Sequence, residues 1–146
     1  NLREIYSRAE VFFCNLEEAK KILKTDESSV GRLLHLINTE GPKIVVITDG
    51  PRGAYAYNGK EAWFMPPYHD PRPPVQRTGA GDAFASTFTT ALILGKSVPE
   101  ALQWAPINSM SVVQNVGAQK WLLRRGDLEN FLSHAPENYK PQKLIG

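Results

Sequence analysis

The sequence predicts an α/β fold, a mostly parallel sheet flanked by helices and extended by an antiparallel hairpin, and three observations carry that reading. Ile44-Val45-Val46-Ile47 is a continuous β-branched run, the pattern of a strand covered on both faces as in a parallel sheet. Val11-Phe12-Phe13 is a second β-prone run, and the amphipathic stretches between the two complete a strand-helix-strand unit. Asn58-Gly59 then stands between two further β-prone segments, a strong hairpin signal.

The elements follow in order. Asn15 closes the first strand, and Glu18 three positions on gives the spacing of an N-cap and its reciprocal glutamate, so a helix carries Ala19, Ile22 and Leu23 inward and ends near Lys24. Ser28-Ser29 opens a second helix with Val30, Leu33, Leu34 and Ile37 on one face, stopped by Gly41-Pro42. After the buried strand, Ala54 to Tyr57 and Lys60 to Met65 form the hairpin. Pro66, Pro67, Pro71, Pro73 and Pro74 mark an irregular crossing loop, because proline cannot donate to a ladder. From Asp82 onward Phe84, Phe88, Ala91 and Leu92 recur at helical spacing up to Gly95. Ser97-Val98-Pro99-Glu100 is a capping box that launches another helix to Val112 or Val113, with Pro106 inside it and Gly117 beyond its end. Asp127, Leu128 and Phe131 indicate a short final helix before a polar tail.

A length of 146 residues is that of one domain, 1–146, with enough chain for a core. Hydrophobic residues at 42% and charged residues at 22% exclude a chain disordered throughout, and no apolar run reaches bilayer length, so no membrane partner is expected. Seventeen Lys and Arg against fifteen Asp and Glu leave a charge of +2 with no basic cluster, which argues against nucleic acid as a partner. Cys14 is the sole cysteine and cannot form an internal disulfide; with the hydrophilic start Asn1-Leu2-Arg3-Glu4 this points to the cytoplasm. His35, His69 and His134 lack metal-ligand spacing and read as surface or loop residues, and Trp63 and Trp104 read as packing residues.

Chemistry concentrates in Thr78-Gly79-Ala80-Gly81-Asp82-Ala83-Phe84, where small residues meet a helix start. The first amides of a helix have no intrahelical acceptor, and glycines let an anion approach them, so this is a candidate phosphate cradle. It is not a P-loop, since no Gly-Lys-Ser/Thr follows, and Phe84 stands where a dinucleotide fingerprint would place its last glycine. Asp82 opposes a phosphate unless it accepts a proton from a hydroxyl attacking the phosphorus. Read alone, these residues also fit a plain glycine turn with Asp82 facing the helix dipole.

Gly79-Ala80-Gly81-Asp82-Ala83-Phe84 closely resembles the core of the Asp-Thr-x-Gly-Ala-Gly-Asp signature of the ribokinase-like (PfkB) carbohydrate kinases. Asn15-Leu16-Glu17-Glu18 resembles that family's Asn-x-x-Glu, Thr48-Asp49-Gly50-Pro51-Arg52-Gly53 its Thr-x-Gly-x-x-Gly nucleotide loop, and Gly117-Ala118 its late Gly-Ala turn near the adenine and a monovalent cation. The resemblance implies the C-terminal half of a ribokinase-like fold and an ATP-dependent kinase for a sugar or sugar-like alcohol. It implies Asp82 as general base, and the amides of Gly79, Ala80 and Gly81 as the hole for the charge on the γ-phosphate. Asn15 and Glu18 would organise Mg²⁺ and phosphate, Glu18 acting through water, and Thr48, Gly50 and Gly53 would lie beside the nucleotide. Gln76-Arg77 stands where the family has Asp-Thr, so an anionic ligand for K⁺ is missing and little dependence on a monovalent cation is expected; Trp121 adds bulk after the Gly-Ala turn.

Members of that family are about twice as long, and the half that carries the sugar-binding motifs has no counterpart here. The competing expectation is therefore a nucleotide- or anion-binding half-domain without turnover, acting as a homodimer or with a separate N-terminal half. The small-molecule partner is a sugar or nucleoside in the first reading.

Overall fold

The computed structural model describes residues 2–117 and 119–144. Their order is α1 (Leu2–Tyr6), β1 (Val11–Asn15), α2 (Leu16–Leu23), α3 (Val30–Thr39), β2 (Ile44–Thr48), a 3₁₀ turn (Gly50–Arg52), β3 (Ala54–Tyr57), β4 (Ala62–Met65), α4 (Ala80–Ile93), α5 (Val98–Val113), α6 (Arg125–Ser133) and β5 (Gln142–Leu144). They cluster into two compact units, one of residues 2–65 with 142–144 and one of residues 66–117 with 119–141.

The first unit holds a five-stranded sheet in the order β1-β2-β3-β4-β5. β1 and β2 pair in parallel with Val11 opposite Ile44 and Asn15 opposite Thr48. The strand-helix-strand unit is thus present, and Val45, Val46 and Ile47 are all fully buried, as a run with no polar alternation requires. The α/β class holds, but the balance of pairings differs from the mostly parallel sheet expected: β2-β3, β3-β4 and β4-β5 are antiparallel. The turn after β2 folds the chain straight back on itself, and only a crossover such as α2-α3 can return it parallel.

Leu33, Leu34 and Ile37 of α3 and Ala19 of α2 pack with Cys14, Val45 and Ile47 into one apolar cluster. Each leucine buried there is worth about 1.5–3 kcal/mol. The helix ends are built locally: Ser29 Oγ accepts from the Arg32 amide at 3.4 Å, and Lys24 takes a left-handed conformation with φ 52° that closes α2.

The hairpin forms between the predicted segments, but its second strand starts at Ala62 rather than Lys60, with Tyr57 opposite Ala62. Asn58 Oδ1 accepts from the amides of Lys60 at 3.0 Å and Glu61 at 2.8 Å, and this side-chain turn consumes two residues that a tight two-residue loop would leave in the strand. The polar tail supplies β5, whose Lys143 pairs with Glu61; it joins through backbone bonds, with none of the apolar alternation that marks a strand in sequence.

The second unit is helical. Phe88, Leu102, Ile107 and Val112 are fully buried. Asn108 is a polar member of this interior: its Nδ2 donates to Thr87 Oγ1 of α4 at 2.8 Å, and its Oδ1 accepts from the Leu123 amide at 2.9 Å. The proline-rich segment is irregular, as expected, and tied down at its start by Tyr68, whose hydroxyl donates to the Phe131 carbonyl at 3.0 Å. Among the described residues, no helix is long and apolar enough to cross a membrane.

Candidate functional site

In the first unit the parallel register sets Asn15 beside Thr48 at the carboxyl ends of β1 and β2, the end of such strands where ligands bind in open α/β sheets. Asn15 and Glu18 form the reciprocal cap foreseen from their spacing: Asn15 Oδ1 accepts from the Glu18 amide at 2.8 Å, and Glu18 Oε2 accepts from the Asn15 amide at 2.9 Å. Both side chains remain exposed. The carboxylate is thereby fixed at a helix N-terminus with Oε1 outside the cap, a geometry that suits holding a hydrated cation through water.

Beyond Thr48, Arg52 donates through Nε to Asp49 Oδ2 at 2.8 Å and through Nη2 to Asp49 Oδ1 at 2.5 Å, a forked pair that stiffens the turn. The Asp49 carboxylate holds the Arg52 guanidinium above its ordinary pKa. The two glycines of the turn differ. Gly50, at φ 54°, is exposed with open space where a Cβ would project. Gly53, at φ 115°, is buried, and a Cβ there would come within 2.5 Å of the Met65 carbonyl oxygen, so packing of the hairpin alone demands a glycine. Cys14 is buried just before Asn15; desolvation, then the Glu18 carboxylate, pushes its thiol up to about 12 and keeps it a neutral packing group.

In the second unit Gly79 N-caps α4 with φ 84°, so the helix starts two residues before Asp82. The helical ladder begins with the Ala83 amide donating to Gly79 O at 2.9 Å, which leaves the amides of Gly81 and Asp82 ahead of it without a helical acceptor. Ala80 differs, its amide making a long 3.3 Å bond to Arg77 O that an incoming anion would compete with. Gly81 and Asp82 are exposed, whereas Ala83 and Phe84 are buried, so the turn is anchored on one side and open on the other. A Cβ on Gly81 would meet nothing within 4 Å, and the Asp82 carboxylate has no hydrogen-bond or ionic partner among the described residues. Open amides with a free carboxylate at their edge can receive a phosphate group and a hydroxyl beside it.

Gly117 is exposed at φ 100° beyond the end of α5; Ala118 lies outside the described residues. The backbone amide of Gln76 donates to Val113 O at 3.3 Å. Trp121 donates Nε1 to Val116 O at 3.2 Å and so braces the loop that carries Gly117. The three histidines are exposed, and Trp63 and Trp104 are buried.

Sequence reasoning missed the residues that hold this turn in place. Ser109 of α5 donates to Ala80 O at 3.0 Å, and Arg72 bonds the end of α5. The available signal was the polar trio Asn108, Ser109 and Ser111 in the otherwise apolar second half of the helix.

Comparison with known proteins bears on the family and the fold. The cytidine kinase of Thermococcus kodakarensis is 34% identical over 117 residues, covering 80% of this chain and 41% of that protein. The ribokinase of Bacillus subtilis is 35% identical over 92 residues, covering 63% of this chain and 31% of that protein. Among solved structures, an E. coli protein provisionally named ribokinase II, in complex with ATP and Mg²⁺, superposes with a TM-score of 0.78 at 26% identity over 91% of this chain and 42% of that one. Ribokinase from Thermotoga maritima gives a TM-score of 0.79 at 26% identity, over 90% and 44%. This chain therefore spans less than half the length of the relatives it matches. The profile of the pfkB family carbohydrate kinases matches residues 1–124, across the strand-helix-strand unit, the turn after β2 and the Gly79–Asp82 helix start alike, and the chain belongs to that family.

Proposed function

We propose that this chain supplies the phosphate-binding and proton-accepting part of an ATP-dependent kinase that phosphorylates an alcohol group of a sugar or nucleoside. The observation that carries this reading is the α4 start, where open amides and an Asp82 carboxylate without a partner among the described residues share one exposed turn. Family membership and the likeness to a structure holding ATP and Mg²⁺ support it.

In this reading the amides at Gly79, Ala80 and Gly81 bind the phosphate that is transferred and hold the charge that grows on it, at little cost of reorganisation because the turn is already formed and only the long Ala80–Arg77 bond has to yield. Asp82 accepts the proton of the attacking hydroxyl. Thr48, Gly50 and Gly53 border the nucleotide, as does Gly117. Asn15 and Glu18 hold Mg²⁺ through water, and the ion when bound neutralises phosphate charge.

The test is Asp82→Asn in an ADP-release assay over sugars and nucleosides, run beside calorimetry with ATP and Mg²⁺. Turnover should fall by about 10²–10⁴-fold, because an amide cannot accept the proton, while nucleotide affinity is kept. Undiminished turnover in the variant overturns the assignment of Asp82. Nucleotide binding without turnover in the parent protein would favour a binding half-domain.

A further inference from the structure

The proline-rich segment before the Gly79 turn is fastened to the end of α5. Arg72 donates through Nε to Gln114 Oε1 at 3.1 Å, and through Nη2 to Gln114 O at 3.1 Å and Asn115 Oδ1 at 3.3 Å. Gln114, itself buried, returns a bond from Nε2 to Arg72 O at 2.8 Å. Three residues on, the amides of Val75 and Gln76 both donate to Val113 O, at 2.8 and 3.3 Å.

This arrangement answers two needs of α5 at once. A helix ends with carbonyls that lack intrahelical donors, and here those of Val113 and Gln114 accept from the incoming segment. A guanidinium at that end also complements the negative pole of the helix. Between the fork and the turn lie Pro73 and Pro74, whose fixed φ angles leave the intervening chain little freedom. On the far side of the turn Ser109, one helical turn and a residue before Gln114, grips Ala80 O. The Gly79 turn is thus clasped from both sides by the last two turns of one helix.

We infer that Arg72 is a positioning residue, a latch that presets the Gly79–Asp82 turn for its anion by locking the segment before it onto the C-terminus of α5. The latch touches no ligand. It rests on the reading above of this turn as phosphate-binding, and it identifies what replaces glycine's own lack of rigidity there: without the fork, Gly79 and Gly81 sample many conformations and only a fraction can receive a phosphate. If that fraction drops to about a tenth, apparent affinity drops about tenfold.

The test compares the protein with Arg72→Ala and Arg72→Lys. In Arg72→Ala, ¹⁵N order parameters of the Gly79 and Gly81 amides should fall from about 0.85 toward about 0.6, with the interior of α4 unchanged. ATP affinity should fall about tenfold, and methylguanidinium at tens of millimolar should restore much of it by occupying the vacated fork site, an effect that a general loss of stability would not show. Arg72→Lys keeps the charge but cannot make the fork, so it should share the loss; it also carries the test if Arg72→Ala does not fold. Unchanged order parameters in both variants overturn the latch, as does increased motion with unaltered ATP affinity. Should the parent protein bind no ATP, the phosphate-binding reading fails on its own, and the order parameters alone decide whether the latch exists.

Discussion

Gly53 and Gly81 lie in motifs of the same kind, yet their surroundings give them opposite meanings. An added methyl at Gly53 collides with the Met65 carbonyl and the Phe64 ring at a φ of 115°, so Gly53→Ala should cost on the order of 2–4 kcal/mol whatever the protein binds. Gly81 sits inside a helix turn with empty space around it, and there Gly81→Ala should raise stability by about 0.5–1 kcal/mol, since alanine loses less conformational entropy. If phosphate binds on the exposed side of this turn, the added methyl takes up part of that space, so ATP affinity should drop as stability rises. Urea unfolding and calorimetry on the two variants check both signs; a stabilised Gly81→Ala protein with undiminished ATP affinity would remove the turn from the site. Cys14 makes a second residue-scale case, through pH. Burial and the Glu18 carboxylate raise the folded thiol to about 12, above its unfolded value, so the folded state holds the proton more tightly. Stability is then complete below about pH 8.5, where the unfolded thiol is also protonated, and declines as pH rises from there toward 12. Tyr55 and Tyr68 titrate at high pH too, each raised by burial, so the comparison is with Cys14→Ala, whose urea midpoint should fall less between pH 8 and 10.5. Equal slopes for the two proteins refute the buried-thiol account.

At the scale of elements, what the sequence made legible is what local chemistry decides. The caps at Asn15 and Ser29, the helix face of Leu33, Leu34 and Ile37, and the buried strand Ile44–Thr48 each rest on contacts within a few residues or on an unbroken apolar pattern, and each forms where expected. β5 was illegible because an edge strand can be held by backbone bonds alone, which leave no mark on side-chain periodicity. The start of β4 was displaced by one side chain, Asn58, competing for the amides of its own loop. For the candidate site the same division holds. Gly79–Asp82 could be found because small residues before a helix are a local signal. Its support from Arg72, Gln114 and Ser109 could not, because those bonds join positions 29 to 42 residues apart and depend on how α5 ends. The proline run concealed them further, since irregular chain gives no periodicity from which a partner could be guessed.

At the scale of the whole molecule, the sheet ends on β1, which among the described residues is paired with β2 alone. A strand at the edge of a sheet can recruit another strand unless charge, proline or a bulge blunts it, and the sequence Val11-Phe12-Phe13 carries no charge and no proline. Large apolar side chains are also left in solvent, Ile93 at 80% exposure and Leu94 at 48% on α4 and its cap, with Val116 at 73%. Such surfaces pair when concentration allows. We therefore expect this chain, studied alone at tens of micromolar, to form a homodimer, and sedimentation equilibrium should return about twice 16.3 kDa. The association should respond weakly to salt, because backbone pairing and apolar contact are not screened as exposed charges are. Phe12→Lys, which places a charge on the edge strand, should shift the equilibrium toward monomer while leaving α4 and the Gly79 turn intact. A sharp 16.3 kDa species at every concentration would mean that the β1 edge is protected by its own chain, and would end the expectation of pairing.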